Sequence, residues 1–185
     1  MTISSWPTAT PESSGVDSAH LLRLLDHVHA QRVNLHSLLI ARHGRLIAEV
    51  YFHPYHAGSQ HDVRSAAKSV TALLAGIALE EGYIASIDQP IGNFFPVAEA
   101  RKAAITIRHL LTMSSGLALS DADTWHTLAE LDALAWVLDA PMAAEPGEVF
   151  NYSSSNYYLL GAILGKATGV SLAEYAREKL FGPLG

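Results

Sequence analysis

The chain has 185 residues, about half of them apolar and 16% charged, a composition that suits one ordinary globular domain with a sizeable core and excludes a disordered chain. Its formal net charge of −6, with no basic run anywhere, argues against nucleic acid as a partner. There is no cysteine, which excludes disulfides and thiolate chemistry and leaves the redox compartment open.

Residues 1–16 read as an extended polar arm. They contain no apolar core of a signal peptide, and no apolar run in the chain reaches transmembrane length, so no membrane partner is expected. A cytoplasmic protein is the simplest expectation, or a periplasmic or secreted one if a leader was removed. Asp17 can cap a helix whose Leu21, Leu22, Leu24, Leu25 and Val28 form one apolar face. Two strand-like runs follow, "LHSLLIAR" and "RLIAEVYF", around His43-Gly44, a hairpin signal. The histidine-rich loop "HPYHAGSQHD" then leads into the helix "SAAKSVTALLAGIALEEG", closed by Gly82. Beyond it come the loop "SIDQPIGNFFP", the helical "TIRHLLTM" and the loop "SSGLALSDAD". "LAELDALAWVLDA" reads as a helix stopped by Pro141 and the turn at Pro146-Gly147. "SSNYYLLGAILGKATG" is another, ending at Gly169, and Ser171 with Glu174 forms a capping box for a last helix that stops at Gly182-Pro183.

Several helices thus accompany a single hairpin, and a lone hairpin is marginal in water without more strands or a covering layer. The expected class is α/β in the α+β sense: a helical subdomain with part of an antiparallel sheet whose remainder lies outside this chain. The expected divisions are residues 1–54 (arm, helix and hairpin), 55–170 (helical subdomain) and 171–185 (a terminal helix leading toward the missing region).

Chemistry enters at residues 64–82. Between Arg64 and Glu80 the only charge is Lys68, in a helix apolar on nearly every side. Such a helix is normally buried, and lysine is almost never fully buried without a partner. Lys68 lies three residues after Ser65, and positions i and i+3 share a helix face, so hydroxyl and amine can meet. Serine is a weak nucleophile until a base takes its proton, and a lysine desolvated by burial can serve as that base. Ser65 would also sit in the first helical turn, where unpaired N–H groups and the helix dipole favour developing negative charge. The competing reading is a lysine snorkelling from a helix start. S-x-x-K arises by chance about once in a few hundred residues, but no other serine here has lysine three residues on.

The helix "SAAKSVTALLAGIALEEGYI", then "IDQPIGNFFP", "ITIRHLLTMSSGL" and "PGEVFNYSSSNYYLLGAILGKATG", strongly resembles the serine beta-lactamase-like family. That family contains class C beta-lactamases, D-alanyl-D-alanine peptidases, family VIII carboxylesterases and 6-aminohexanoate-dimer hydrolases. The resemblance runs from about residue 10 to the last residue, with the motifs in the family's order. It implies that Ser65 is the acylated nucleophile, that Lys68 helps remove its proton, and that Tyr152 relays a proton to the leaving group. Without the motif, Tyr152 reads as a half-buried packing residue.

There are two departures. The tyrosine motif is often Y-x-N, whereas here it is "YSS", with Ser154 in place of the asparagine that helps hold a beta-lactam's side-chain amide. The family's third motif, a K-T-G or H-x-G-like triplet on a later strand, does not occur; "KATG" at 166–169 ends a helix and has one residue too many. That later region also supplies the family's remaining strands and one oxyanion-hole N–H.

Other signals are weaker. His53, His56 and His61 with Asp62 crowd one loop, but no H-E-x-x-H or cysteine pair accompanies them, and a solvated loop with no metal is expected. Trp125, His126 and Trp136 are candidates for lining a substrate pocket, against core packing as the plainer reading. No G-x-S-x-G elbow and no phosphate-binding glycine loop occurs. The expectation is a cofactor-free serine hydrolase that acts through an acyl-enzyme on small esters or amides. A C-terminal segment or second chain would complete its sheet. The alternatives are beta-lactamase or D-Ala-D-Ala peptidase activity, a non-catalytic binding relative, and a metal hydrolase built on the His53 loop.

Overall fold

The Asp17 carboxylate accepts the Ala19 N–H at 2.8 Å and opens α1, Ser18–Ala30. The computed structural model describes residues 6–122 and 132–185, and the chain divides after Asp62 into two units. In the first unit, α1 buries Val28, whereas Leu22 and Leu24 stay 62% and 39% exposed, so the apolar face expected there is only partly covered. Strands β1 (Ser37–Arg42) and β2 (Arg45–Tyr51) form an antiparallel hairpin running from Ser37 opposite Tyr51 to Arg42 opposite Arg45, with a bulge between Ile40 and Ala41. His43 and Gly44 both have positive φ, +51° and +71°, as the tight two-residue turn that matches strand twist requires.

The N-terminal arm is more than an arm. Pro7 carbonyl accepts the Leu46 N–H at 2.8 Å, the Ala9 N–H donates back to Leu46 at 3.0 Å, and the Trp6 indole donates to the Gly44 carbonyl at 2.9 Å. An unpaired strand edge leaves backbone groups that need partners, and this segment supplies them along part of β2. Among the described residues, β1 pairs only with β2.

The second unit is helical: α2 (Ala66–Glu80), α3 (Ala100–Ala103), α4 (Ile107–Leu111), α5 (Ala133–Asp139), α6 (Ser154–Thr168) and α7 (Leu172–Ala176). Its core gathers Leu74 and Ala78 of α2, Ile107 and Leu110 of α4, Val137 of α5, and Leu159, Leu160, Ile163 and Leu164 of α6, all fully buried. The spacing of the α6 residues puts one stripe of the helix inward. The Ser171–Glu174 capping box is present. The last helix does not stop at Gly182-Pro183; it widens into a π-turn over Arg177–Phe181 and continues as α8, Gly182–Leu184. A Cβ on residue 182 would lie 2.8 Å from the Arg177 carbonyl oxygen, so glycine permits the close passage, and the widened turn suits a proline that cannot donate.

Helix α2 is not buried all round. It covers Leu74, Ala75 and Ala78, while Leu73 is 57% exposed and Val63, just before the helix, 62%. Beside it an apolar groove of about 420 Å³ runs between Val63, Ala67 and Val70 on one wall and Leu172, Ala173 and Phe181 on the other. Within this unit its cover comes from α6 and the π-turn.

The segments 113–119 and 141–151 are zipped by backbone hydrogen bonds from Ala143 N–H to Gly116 (2.7 Å), Ala118 N–H to Pro141 (2.8 Å), Gly147 N–H to Ser114 (2.7 Å) and Asn151 N–H to Met113 (2.9 Å). Gly116 is the crossing point: its φ is +78°, and a Cβ there would lie 2.3 Å from the Ala144 carbonyl oxygen. Gly116→Ala should therefore lower unfolding free energy by about 2–4 kcal/mol, combining a left-handed backbone with a backbone clash. Gly82→Ala, at φ +77° in open space, should cost about 1 kcal/mol. Urea denaturation of the two variants checks both values, and equal losses would contradict the clash.

Candidate active site

Arg64, at φ +48°, turns the chain sharply into α2, so that Ser65 arrives as the residue just before the helix with helical dihedrals. Its hydroxyl makes no capping bond to the helix and is left free to face outward. One turn on, the Lys68 ammonium lies 3.2 Å from Ser65 Oγ and 2.9 Å from Ser154 Oγ, donating to both. The Tyr152 hydroxyl donates to Ser65 Oγ at 2.7 Å, and Lys68 Nζ stands 5.3 Å from the centre of the Tyr152 ring. Two side chains, one of them 87 positions along the chain, therefore converge on the Ser65 oxygen at distances fit for proton transfer.

The other half of the site is the start of α6. Ser153 caps that helix by accepting the Ser155 N–H, and it is buried with Ser155 and Asn156. Ser154 is the first helical residue, and its N–H donates to Asp121 Oδ1 at 2.7 Å. Asn151 is held by its side chain, which donates to the Leu119 carbonyl at 3.0 Å, and by its N–H on Met113. These bonds fix the residues on both sides of Tyr152. Other tyrosines are occupied elsewhere: Tyr157 donates to the Leu111 carbonyl, and burial pushes its hydroxyl up. Burial and the adjacent Glu81 carboxylate push Tyr175 up to about 12.

Ser65, Lys68, Tyr152 and Ser154, the residues singled out from the sequence, are thus brought together. Two expectations about them change. Lys68 is only half-buried, and its partners are hydroxyls; the buried lysine among the described residues is Lys102, 7% exposed, whose ammonium donates to the Leu138 carbonyl at 2.7 Å. The first-turn N–H groups are also engaged: those of Ala66, Ala67 and Lys68 bond to the carbonyls of Val63, Arg64 and Ser65.

Trp125 and His126 lie outside the described residues. Trp136 packs against the core. Lys166, in "KATG", sits 5.2 Å from the Phe95 ring, and Gly169 ends α6 in the left-handed conformation. No group of three or more histidine or carboxylate donors that could hold a metal occurs among the described residues. Asp121 and Asn151 were not singled out from the sequence. Asp121 stands 33 positions from Ser154, and no local pattern ties the two.

These residues stand in a chain whose residues 23–185 match the Beta-lactamase family model. The chain belongs to the beta-lactamase family. It is 29% identical over 140 residues to penicillin-binding protein 4* of Bacillus subtilis, covering 71% of this chain and 30% of that protein. It is 26% identical over 208 residues to the esterase EstB of Burkholderia gladioli, covering 95% of this chain and 53% of the esterase. The octameric penicillin-binding protein homologue of Pyrococcus abyssi superimposes with a TM-score of 0.75 at 28% identity, covering 91% of this chain and 43% of that one. The chain therefore spans about half or less of the length of these family members. The architecture of helices with an antiparallel sheet is theirs. No helix among the described residues is long and apolar enough to cross a membrane.

Asp121 fixes the Ser154 N–H, and the Ser154 hydroxyl in turn accepts a bond from Lys68. Asp121→Ala should lower stability by about 1 kcal/mol, as loss of a carboxylate at a helix start does, and, with Ser65 as the nucleophile proposed below, should slow its acylation. Asp121→Asn, which keeps an acceptor oxygen, should retain most of both. Thermal melts together with the acylation rate of the two variants decide this, and an Asp121→Ala variant matching the parent in both would remove the assignment.

Proposed function

We propose that the whole protein is a serine hydrolase that acts through an acyl-enzyme on small esters or amides. The observation that carries this reading is the convergence of Lys68 Nζ and Tyr152 OH on Ser65 Oγ, at 3.2 and 2.7 Å. In acylation the Lys68–Tyr152 pair, having first released one proton to solvent, takes the Ser65 proton as Oγ bonds to the substrate carbonyl carbon. The C–O or C–N bond then breaks, and the same pair returns the proton to the departing alcohol or amine. Water attacks the acyl-enzyme, its proton goes to the pair, and the acid leaves with Ser65 restored. The Lys68 charge, held between two hydroxyls, stabilises the negative charge that builds on the reacting oxygens. The Ser65 N–H, without a partner among the described residues, serves as one oxyanion donor, and a further segment supplies the second.

Small esters are favoured over beta-lactams because Ser154 offers a hydroxyl already engaged by Lys68, where an asparagine amide would hold a beta-lactam side chain. In the complete protein a fluorophosphonate should label Ser65, and Ser65→Ala should abolish both labelling and p-nitrophenyl ester turnover while leaving the melting curve unchanged. Lys68→Ala should cost about 10²- to 10⁴-fold in turnover. Residual ester hydrolysis by Ser65→Ala close to that of the parent would end the proposal, and a cephalosporin rate equal to the ester rate would reassign the substrate class.

The uncovered α2 face, the open edge of β1 and the greater length of the relatives support a requirement for a further segment of polypeptide that completes the sheet. The 185 residues purified alone should self-associate and hydrolyse esters weakly, since loss of one oxyanion donor costs about 10²- to 10³-fold. Supplying the segment in cis or in trans should restore a monodisperse, active protein. Light scattering with an ester assay checks this; a fully active monomer of this chain alone would refute it.

A further inference from the structure

The histidine-rich loop does not gather its own histidines. His61 at its end instead meets His36, the residue just before β1, with the two Nδ1 atoms 3.1 Å apart. The Tyr55 ring stacks on the His36 ring, centres 3.7 Å apart and planes 18° apart, and stands 5.2 Å from His61. His36 is also fixed by its backbone, whose carbonyl accepts the Phe52 N–H at 3.0 Å beside the end of the hairpin ladder. His56, by contrast, is occupied within the loop, where its Nδ1 accepts the Gly58 N–H.

We propose that His36 and His61 form a two-imidazole chelate for a divalent transition-metal ion, bound through the two Nδ1 atoms. A neutral imidazole has one N–H and one lone pair, so two facing Nδ1 atoms either share a single proton or both turn lone pairs to a cation, with N–H on each Nε2. Zinc–imidazole bonds are about 2.0–2.1 Å long, and with such bonds a 3.1 Å separation subtends about 100° at the metal. That angle falls between the octahedral and tetrahedral values, so the separation of the two nitrogens suits a single ion. Imidazole donors select zinc, nickel or copper, whereas magnesium and calcium prefer oxygen. With two protein donors the remaining positions belong to water, which makes the ion exchangeable. Its role is to clamp the loop, which reaches Ser65 four residues after His61 in the chain, to the start of β1. The inference stands on the first unit alone and does not depend on the hydrolase reading.

The test titrates the complete protein with Zn²⁺, and separately with Ni²⁺, by isothermal calorimetry. One ion per chain should bind saturably, and His36→Gln and His61→Gln should each weaken it at least about tenfold. His53→Gln and His56→Gln should leave it unchanged, and the bound ion should raise the melting temperature of the parent. Imidazole ¹⁵N resonances of the unaltered protein give a readout that needs no variant: zinc should shift Nδ1 of His36 and His61. Absence of saturable binding below millimolar metal would overturn the proposal, because the pair would then be an N–H···N hydrogen bond alone. Binding that survives loss of both His36 and His61, or that follows His53 and His56 instead, would overturn it as well.

Discussion

One ammonium ties two helix starts together. Lys68 belongs to the first turn of α2 and donates to Ser65 beside it and to Ser154 at the first turn of α6, 86 positions away. The positive ends of both helix dipoles therefore face a positive charge, an arrangement that costs electrostatic energy. Asp121 offsets it: its carboxylate accepts the Ser154 N–H and brings negative charge to the start of α6. The site holds its cation with hydroxyls in front and a carboxylate behind, in a place that is only half-buried. A lysine removed from water altogether would need a different solution. Lys102 shows it, with its ammonium on the Leu138 carbonyl and the Glu99 carboxylate 3.9 Å away.

Around this clasp, precision comes from backbone pairing and not from the size of the core. Tyr152 reaches Ser65 because Asn151 is fixed twice, by its N–H on Met113 and its amide on Leu119. Met113 and Leu119 are placed in turn by the crossing at Gly116, where two stretches of chain pass too closely for a side chain. A displaced crossing would move Tyr152 without touching any group that reacts, and displacements of about 1 Å already matter for proton transfer and attack.

Local devices were legible in the sequence because their causes are local. Asp17, the His43-Gly44 turn, Gly169 and the Ser171–Glu174 box each act within a few residues, and each is found where the pattern puts it. The Ser65–Lys68 pair was legible for the same reason, as a helical spacing. Tyr152 was legible through family resemblance alone, since nothing in its neighbourhood announces a partner so far away. Asp121, Lys102 and the meeting of His36 with His61 carry no local signature; each depends on segments brought together by folding. The histidine loop shows the limit well, since its composition points inward to its own residues while its structure points to the strand before it. The N-terminal arm has the same character: its side chains are polar, but it is its backbone that pairs with β2.

The apolar character of α2 carries a further consequence. Hydrophobic periodicity says that a helix face seeks cover, and it is silent about where the cover lies in the chain. On α2 one face is filled by α6 and by the core, while Val63, Ala67 and Val70 line an open apolar groove with Phe181. The same helix carries Lys68 on another side, with Ser65 just before its first residue. Rigid-body movement of α2 is therefore restrained from one side by packing and near Ser65 by the Tyr152 and Ser154 hydrogen bonds. Burial of the groove would add a further restraint along a 15-residue helix, about 22 Å long and stiff because its backbone groups bond to one another. Under the proposed function, covering the groove and orienting Ser65 Oγ are linked, because the helix that most needs a covering layer begins one residue after Ser65.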